Sequence, residues 1–144
     1  MNKQGFTLIE LLVVLAISGI LFSIVGSLSV AASPRSQISI ESAVVTQTVR
    51  RAQSKSIHGT KDHIWGVKFI PTKMILFAGA TYATRTPAFD QVHIFPNDLV
   101  ESGISEINFS ARTGTPSVTG NIILTQTSTG KSITLNINAA GKIE

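Results

Sequence analysis

Residues 1–34, MNKQGFTLIELLVVLAISGILFSIVGSLSVAASP, decide the fold of this chain. A short polar leader precedes an apolar stretch that Glu10 interrupts near its start, and residues 11–34 carry no charged side chain. As a helix, residues 11–34 would be about 36 Å long, enough to cross a hydrocarbon core of roughly 30 Å. A charge inside such a core costs at least about 2.5–3.5 kcal/mol on insertion scales, so Glu10 is a candidate functional residue.

The block from Gly5 through Phe6 to Glu10, followed by the apolar run LLVVLAI, resembles the N-terminus of prepilins. These are precursors in the type IV pilin and type II secretion pseudopilin superfamily. The resemblance implies that a membrane-bound prepilin peptidase cuts between Gly5 and Phe6 and N-methylates Phe6. It also implies that Glu10 is the assembly residue, paired with the N-terminal amine of a neighbouring subunit. Phe6 and Glu10 are four residues apart and share a helix face, and a buried carboxylate is tolerated mainly when it is paired.

Two other interpretations of the N-terminus compete with the prepilin. Residues 30–33 look like the small-residue cleavage site of a secretory signal peptide, but the apolar region is longer than the usual ~7–15 residues and contains a glutamate. The other interpretation is a single-pass membrane anchor that is unrelated to pili and carries a glutamate by chance.

Length and charge limit the remaining functions. At 144 residues, the chain has room for one domain beyond the anchor. It has no cysteine, so a disulfide or thiolate site is impossible. The net charge of +4 is too small by itself to indicate a nucleic-acid partner. No motif for a cofactor is present, and we expect none to be bound.

The rest of the sequence predicts a second helix and a β-rich head. Apolar residues recur at helical spacing after Pro34, which predicts an amphipathic helix with one buried stripe: Ile38, Val45, Val49, Ala52. After Gly59 the apolar period changes to two, which predicts six or so antiparallel strands. They are expected at residues 64–70, 74–78, 92–95, 104–111, 121–127 and 131–137. The fold class is therefore α+β, with a long N-terminal helix packed on a C-terminal antiparallel sheet.

The expected organisation is a cleaved leader at 1–5, a transmembrane assembly helix at 6–34, an amphipathic helix at 35–58 and a globular head at 59–144. This is the architecture that the pilin superfamily has. Motifs of the second helix and head resemble one branch, the minor pseudopilin H and FimT-like minor pilins. They are the helix residues Val49, Ala52 and Gln53, the strand residues Trp65, Val67 and Phe69, the glycines Gly114 and Gly120 before Ile122 and Leu124, and the terminal Gly141-Lys142-Ile143.

Other chemistry has weak support in the sequence. His58 and His63 lack a metal-ligand spacing, and with His93 they predict no metal site. The acids Asp90, Asp98, Glu101 and Glu106 are scattered and are interpreted as solvated surface, so no catalytic residue is predicted. Some FimT-like pilins bind DNA, and the candidate contacts here are four cations: Arg85, Arg112, Lys131, Lys142.

The sequence therefore predicts a structural subunit of a type II secretion pseudopilus or a type IV pilus, and no enzyme. Its expected partners are other pilins or pseudopilins, the prepilin peptidase and the assembly platform of the inner membrane. The expected location is the inner membrane, with the head outside the cytoplasm, and then the filament. The alternatives are a DNA-binding minor pilin for natural transformation and a membrane-anchored domain unrelated to pili.

Overall fold

The computed structural model describes residues 7–27, 34–59 and 63–144. Within these ranges the elements are two helices, seven strands and a short 3₁₀ helix, Pro87–Phe89. The chain divides into two compact units, one ending at Ser33 and the other beginning at Pro34. The α+β fold class is confirmed within the second unit, where a helix packs on antiparallel sheets.

The first unit contains helix α1, Leu8–Ser27. Its sequence is almost wholly apolar, with Glu10 in the first turn. The leader at 1–5 and the cleavage site at Gly5 and Phe6 lie outside the described residues.

The second unit begins with helix α2, Pro34–Ile57. Proline is suited to a first helical turn because its missing N–H would have no helical partner there. The predicted apolar stripe is confirmed, since Ile38, Val45, Val49 and Ala52 are all fully buried. The helix ends where Gly59 takes a left-handed φ of 57°, as a helix C-terminus favours.

Four strands form the first sheet: β1 Trp65–Ile70, β2 Lys73–Ala78, β3 Gln91–Ile94 and β5 Glu106–Phe109. Their order is β3-β2-β1-β5, and each neighbouring pair is antiparallel. Trp65 lies opposite Phe109, and Val67 lies opposite Ile107. These four side chains belong to the core that α2 covers.

Three strands form the second sheet: β4 Leu99–Gly103, β6 Gly120–Gln126 and β7 Ser132–Ile137, in the order β4-β6-β7. The pairs are antiparallel, with Ile122 opposite Leu135. The inward side chains of this sheet join the same core. Strand β4 is missing from the sequence prediction. Only Leu99 of this strand is buried, so its sequence has no apolar alternation that would predict a strand.

Candidate functional site

The N-terminus of α1 is capped by its own sequence. The N–H of Glu10 donates to the carbonyl of Thr7 at 3.1 Å and lies 3.4 Å from the Thr7 hydroxyl. Thr7 and Glu10 stand three residues apart, the spacing of a capping box. The Glu10 carboxylate thus lies in the first turn, where the helix dipole favours negative charge.

The apolar side chains of α1 before and after Glu10 are exposed, as far as residue 20, where the description of its side chains ends. Their exposed fractions lie between 50% and 79%. The set consists of Leu8, Ile9, Leu11, Leu12, Val13, Val14, Leu15, Ile17 and Ile20. A helix that is hydrophobic all round is normally buried in protein or in lipid. The segment after Glu10 therefore calls for apolar surroundings from other molecules.

Across the described ranges, no helix combines the length and the apolar character that a membrane crossing requires. The transmembrane helix predicted over 6–34 stays a prediction.

The motif residues of α2 and the C-terminal part of the head converge on one side chain, Gln53. Its amide nitrogen donates to the carbonyls of Gly114 at 3.0 Å and Ala140 at 2.9 Å. Gly114 and Gly141 have left-handed φ values of 67° and 75°. A Cβ on Gly141 would lie 2.4 Å from the Gln53 amide nitrogen, so this turn needs glycine. These contacts link α2 to the C-terminal turns, and the set is called the lock: Gln53, Gly114, Ala140 and Gly141.

Two of the four candidate DNA-contacting cations are held by carboxylates. The Arg85 Nε donates to the Asp90 carboxylate at 2.8 Å, and this bond raises the pKa of Arg85. Lys142 pairs with Glu144, and the pKa of Glu144 is lowered by that contact. Arg85 also lies 3.8 Å from the centre of the Tyr82 ring. These two cations are therefore less available to an external phosphate.

Arg112 and Lys131 make no ion pair within the described residues. Arg112 has a left-handed φ of 66°, and its N–H donates to the carbonyl of Ser56 at 3.0 Å. It lines an open cavity of about 410 Å³ together with His58 and His63. The four candidate cations do not meet at a common contact.

The three histidines have different contacts, although His58 and His63 line the same cavity. His58 Nδ1 is 2.7 Å from the carbonyl of Ser54, and the ring of His63 lies 5.5 Å from that of Phe89. His93 is 2.8 Å from the carboxylate of Glu41, which is 8% exposed. Among described residues, no group of three or more metal-ligating side chains is found.

The interpretation of the acids as solvated surface is wrong for Glu101, whereas Asp98 lies at the surface within a hydrogen-bond network. Asp98 accepts hydrogen bonds from the side chains of Ser128, Thr127 and Gln126, which lower its pKa to about 2. Glu101 projects from β4 onto the face that carries the buried Leu99, and burial raises its pKa to about 7. One Glu101 carboxylate oxygen is buried and accepts no hydrogen bond from the part of the chain that the structure describes. Strand β4 is short and mostly polar, so the sequence contains no pattern that would have predicted the burial of Glu101.

Comparison with known proteins assigns the N-terminal segment alone. Residues 1–26 match the family model of the prokaryotic N-terminal methylation motif. The match supports a type IV pilin-like protein that a prepilin peptidase processes, and it ends before the second unit. No curated protein and no solved structure matches the chain.

Proposed function

We propose that this protein is a minor pilin or pseudopilin, a structural subunit of a type II secretion pseudopilus or a type IV pilus. One observation carries the proposal: the described apolar side chains of α1 are exposed on both sides of Glu10, within a segment that matches the methylation motif. A surface of this kind suits burial among the helices of other subunits.

In the proposed pathway, the precursor is inserted into the inner membrane with its head outside the cytoplasm. The peptidase then cuts after Gly5 and methylates Phe6. The new amine at Phe6 has a reference pKa near 8 and is largely protonated at neutral pH. Glu10 of one subunit would pair with that amine on a neighbour as both enter the filament, since an unpaired carboxylate is costly among apolar helices. Other pilins and the assembly platform are the partners of this step.

We further propose the branch of minor pseudopilin H and FimT-like minor pilins. The support is the lock around Gln53, which donates to the carbonyls of Gly114 and Ala140 and lies against Gly141. Gln53, Gly114 and Gly141 are three of the residues that carry the resemblance. Each motif is weak by itself. Because these motif residues meet around Gln53, they share one physical role, which is to hold α2 against the C-terminal turns.

A DNA-binding minor pilin is the second candidate function, and it rests on Arg112 and Lys131, which have no ion pair in the described part of the chain. Gel shift of the full chain in detergent tests it. Salt-dependent binding that is lost in Arg112→Gln or Lys131→Gln would support DNA binding, and unchanged binding in both variants would count against these contacts.

The N-terminal mass of the membrane-extracted protein tests the main proposal. We expect a chain that starts at Phe6 and carries one extra methyl group. Gly5→Val should retain the leader, whereas Gly19→Ala should be processed normally, because a Cβ on Gly19 meets nothing within 4 Å. Retention of residues 1–5 in the native protein would contradict the proposal and favour an anchored domain unrelated to pili.

A further inference from the structure

The edges of the two sheets differ in how they are protected. The outer edge of β5 is covered by residues 115–117: the N–H of Ser117 donates to the carbonyl of Asn108 at 2.8 Å, and Phe109 forms a bridge with Pro116. The C-terminal half of β7 is covered by the end of the chain, where Asn136 and Glu144 exchange backbone hydrogen bonds at 2.8 and 3.0 Å. The chain thus blocks the outer edge of β5 and the C-terminal half of β7 itself.

Strand β4 is protected in another way. Its Glu101 points toward the core side of the sheet, with one buried carboxylate oxygen that no described residue hydrogen-bonds. An inward-pointing charge on an edge strand is a known device against pairing with another chain.

Among the residues that the structure describes, nothing protects strand β3 in either way. The N–H of Phe95 donates to the carbonyl of Thr72 at 2.8 Å in the β2–β3 register, so alternate residues face β2. By that alternation, the backbone N–H and C=O groups of Val92 and Ile94 point away from the sheet. Their side chains are 55% and 72% exposed. The edge therefore offers unpaired backbone groups and β-branched side chains at the same two residues.

The α2 side of this edge is polar and basic. Arg51 donates to the Gln91 side chain at 3.1 Å and has no carboxylate partner among the described residues. A groove of about 240 Å³ runs between α2 and β3, lined in part by Gln47, Arg51 and His93. Since His93 is already paired with a carboxylate of α2, Arg51 is the group in this groove whose charge is not neutralised.

We propose that the β3 edge binds an extended segment of a neighbouring pilin-like subunit, which adds as a strand and places a carboxylate beside Arg51. Side chains alternate across a strand, so residues of the segment opposite Val92 and Ile94 would be apolar. The residue opposite Gln91, on the α2 side and next to Arg51, would be acidic. This inference rests on the proposed filament function. The inference identifies the surface of the head that makes contact, and it specifies the chemistry of the partner segment.

Hydrogen exchange of single amides, compared between the assembled filament and the full chain in detergent, tests the proposal. On assembly, exchange at Val92 and Ile94 should slow by at least about 100-fold as their N–H groups become hydrogen-bonded. The Glu101 amide also points outward by the β4–β6 register and is the internal control, expected to be unchanged.

Two pairs of variants sharpen the test. Ile94→Pro removes an outward N–H that the fold does not use, and it should lower incorporation about 10-fold or more without changing Trp65 fluorescence. Thr134→Pro makes the same change on the uncovered half of β7 and should assemble normally. Arg51→Glu should also impair incorporation, whereas Lys131→Glu should not.

Native filaments in which the Val92 and Ile94 amides exchange as fast as in detergent would overturn the edge proposal and leave the filament function intact. A native chain that never enters a filament would instead overturn the filament function, and the edge proposal with it.

Discussion

Helices α1 and α2 are similar in length, 20 and 24 residues, but their apolar residues have opposite fates. The apolar stripe of α2 is 0% exposed, whereas apolar side chains of α1 such as Leu8 and Ile20 are 79% and 61% exposed. The chain itself buries the apolar stripe of α2 by packing this helix on the sheets. The contrast teaches that α1 is built for surroundings that other molecules supply, and α2 for holding the head together.

The largest expected effect separates the two helices directly. Val45→Asp would place a charge in the core beneath α2, at a cost of several kcal/mol, comparable to the ~5–15 kcal/mol stability of a whole domain. We expect the head to be unfolded, with Trp65 exposed; this residue is the one tryptophan and is 1% exposed in the native chain. Fluorescence of the full chain in mild detergent measures this.

Val13→Asp is the matched control on α1, because Val13 is 50% exposed. It should leave the unfolding midpoint of the head unchanged and impair assembly. An equal loss of head stability in both variants would remove the distinction between the helices.

A smaller effect is expected at Gln53, which links α2 to the C-terminal turns. Gln53→Ala leaves the carbonyls of Gly114 and Ala140 without this donor and should cost about 1–3 kcal/mol in denaturant unfolding. Gln47→Ala, at an exposed position of the same helix, should change the free energy of unfolding by less than about 0.5 kcal/mol. Similar values for the two variants would show that the lock contributes little.

The smallest effect concerns pH and Glu101. Its pKa in the folded state, about 7, is raised from 4.5 by burial, so the folded head binds the proton more tightly than the unfolded chain. The associated stability is fully present below about pH 4.5 and is lost as the pH rises through 7. Glu101→Gln should therefore stabilise the head at pH 8 by about 1 kcal/mol, after allowance for solvent screening at this half-exposed group, relative to its effect at pH 4. Unfolding midpoints that differ equally from the native protein at both pH values would contradict the burial.

The contrast between α1 and α2 also shows which features of the fold and of the candidate site could be predicted from the sequence. The stripe of α2 follows a helical period and lies against one core, so Ile38 and Val49 were recognisable from spacing. Strand β4 was missed because Glu101 stands on its inward side, where a strand pattern has an apolar residue. The Thr7 cap was not predicted, although the Thr-x-x-Glu spacing is a local signal for it. The lock at Gln53 has no such signal, because it joins residues whose contact depends on tertiary packing.

The central claim is that α1 docks beside other subunits through Glu10. The direct measurement is the amount of Glu10→Leu protein in sheared filaments relative to the native chain, with the membrane-bound pool and the N-terminal mass recorded beside it. We predict a loss of at least about 100-fold in filaments, since removing one partner of a buried charge pair costs about 3–5 kcal/mol, with the membrane-bound pool and Phe6 methylation unchanged. Undiminished incorporation of Glu10→Leu would contradict the account.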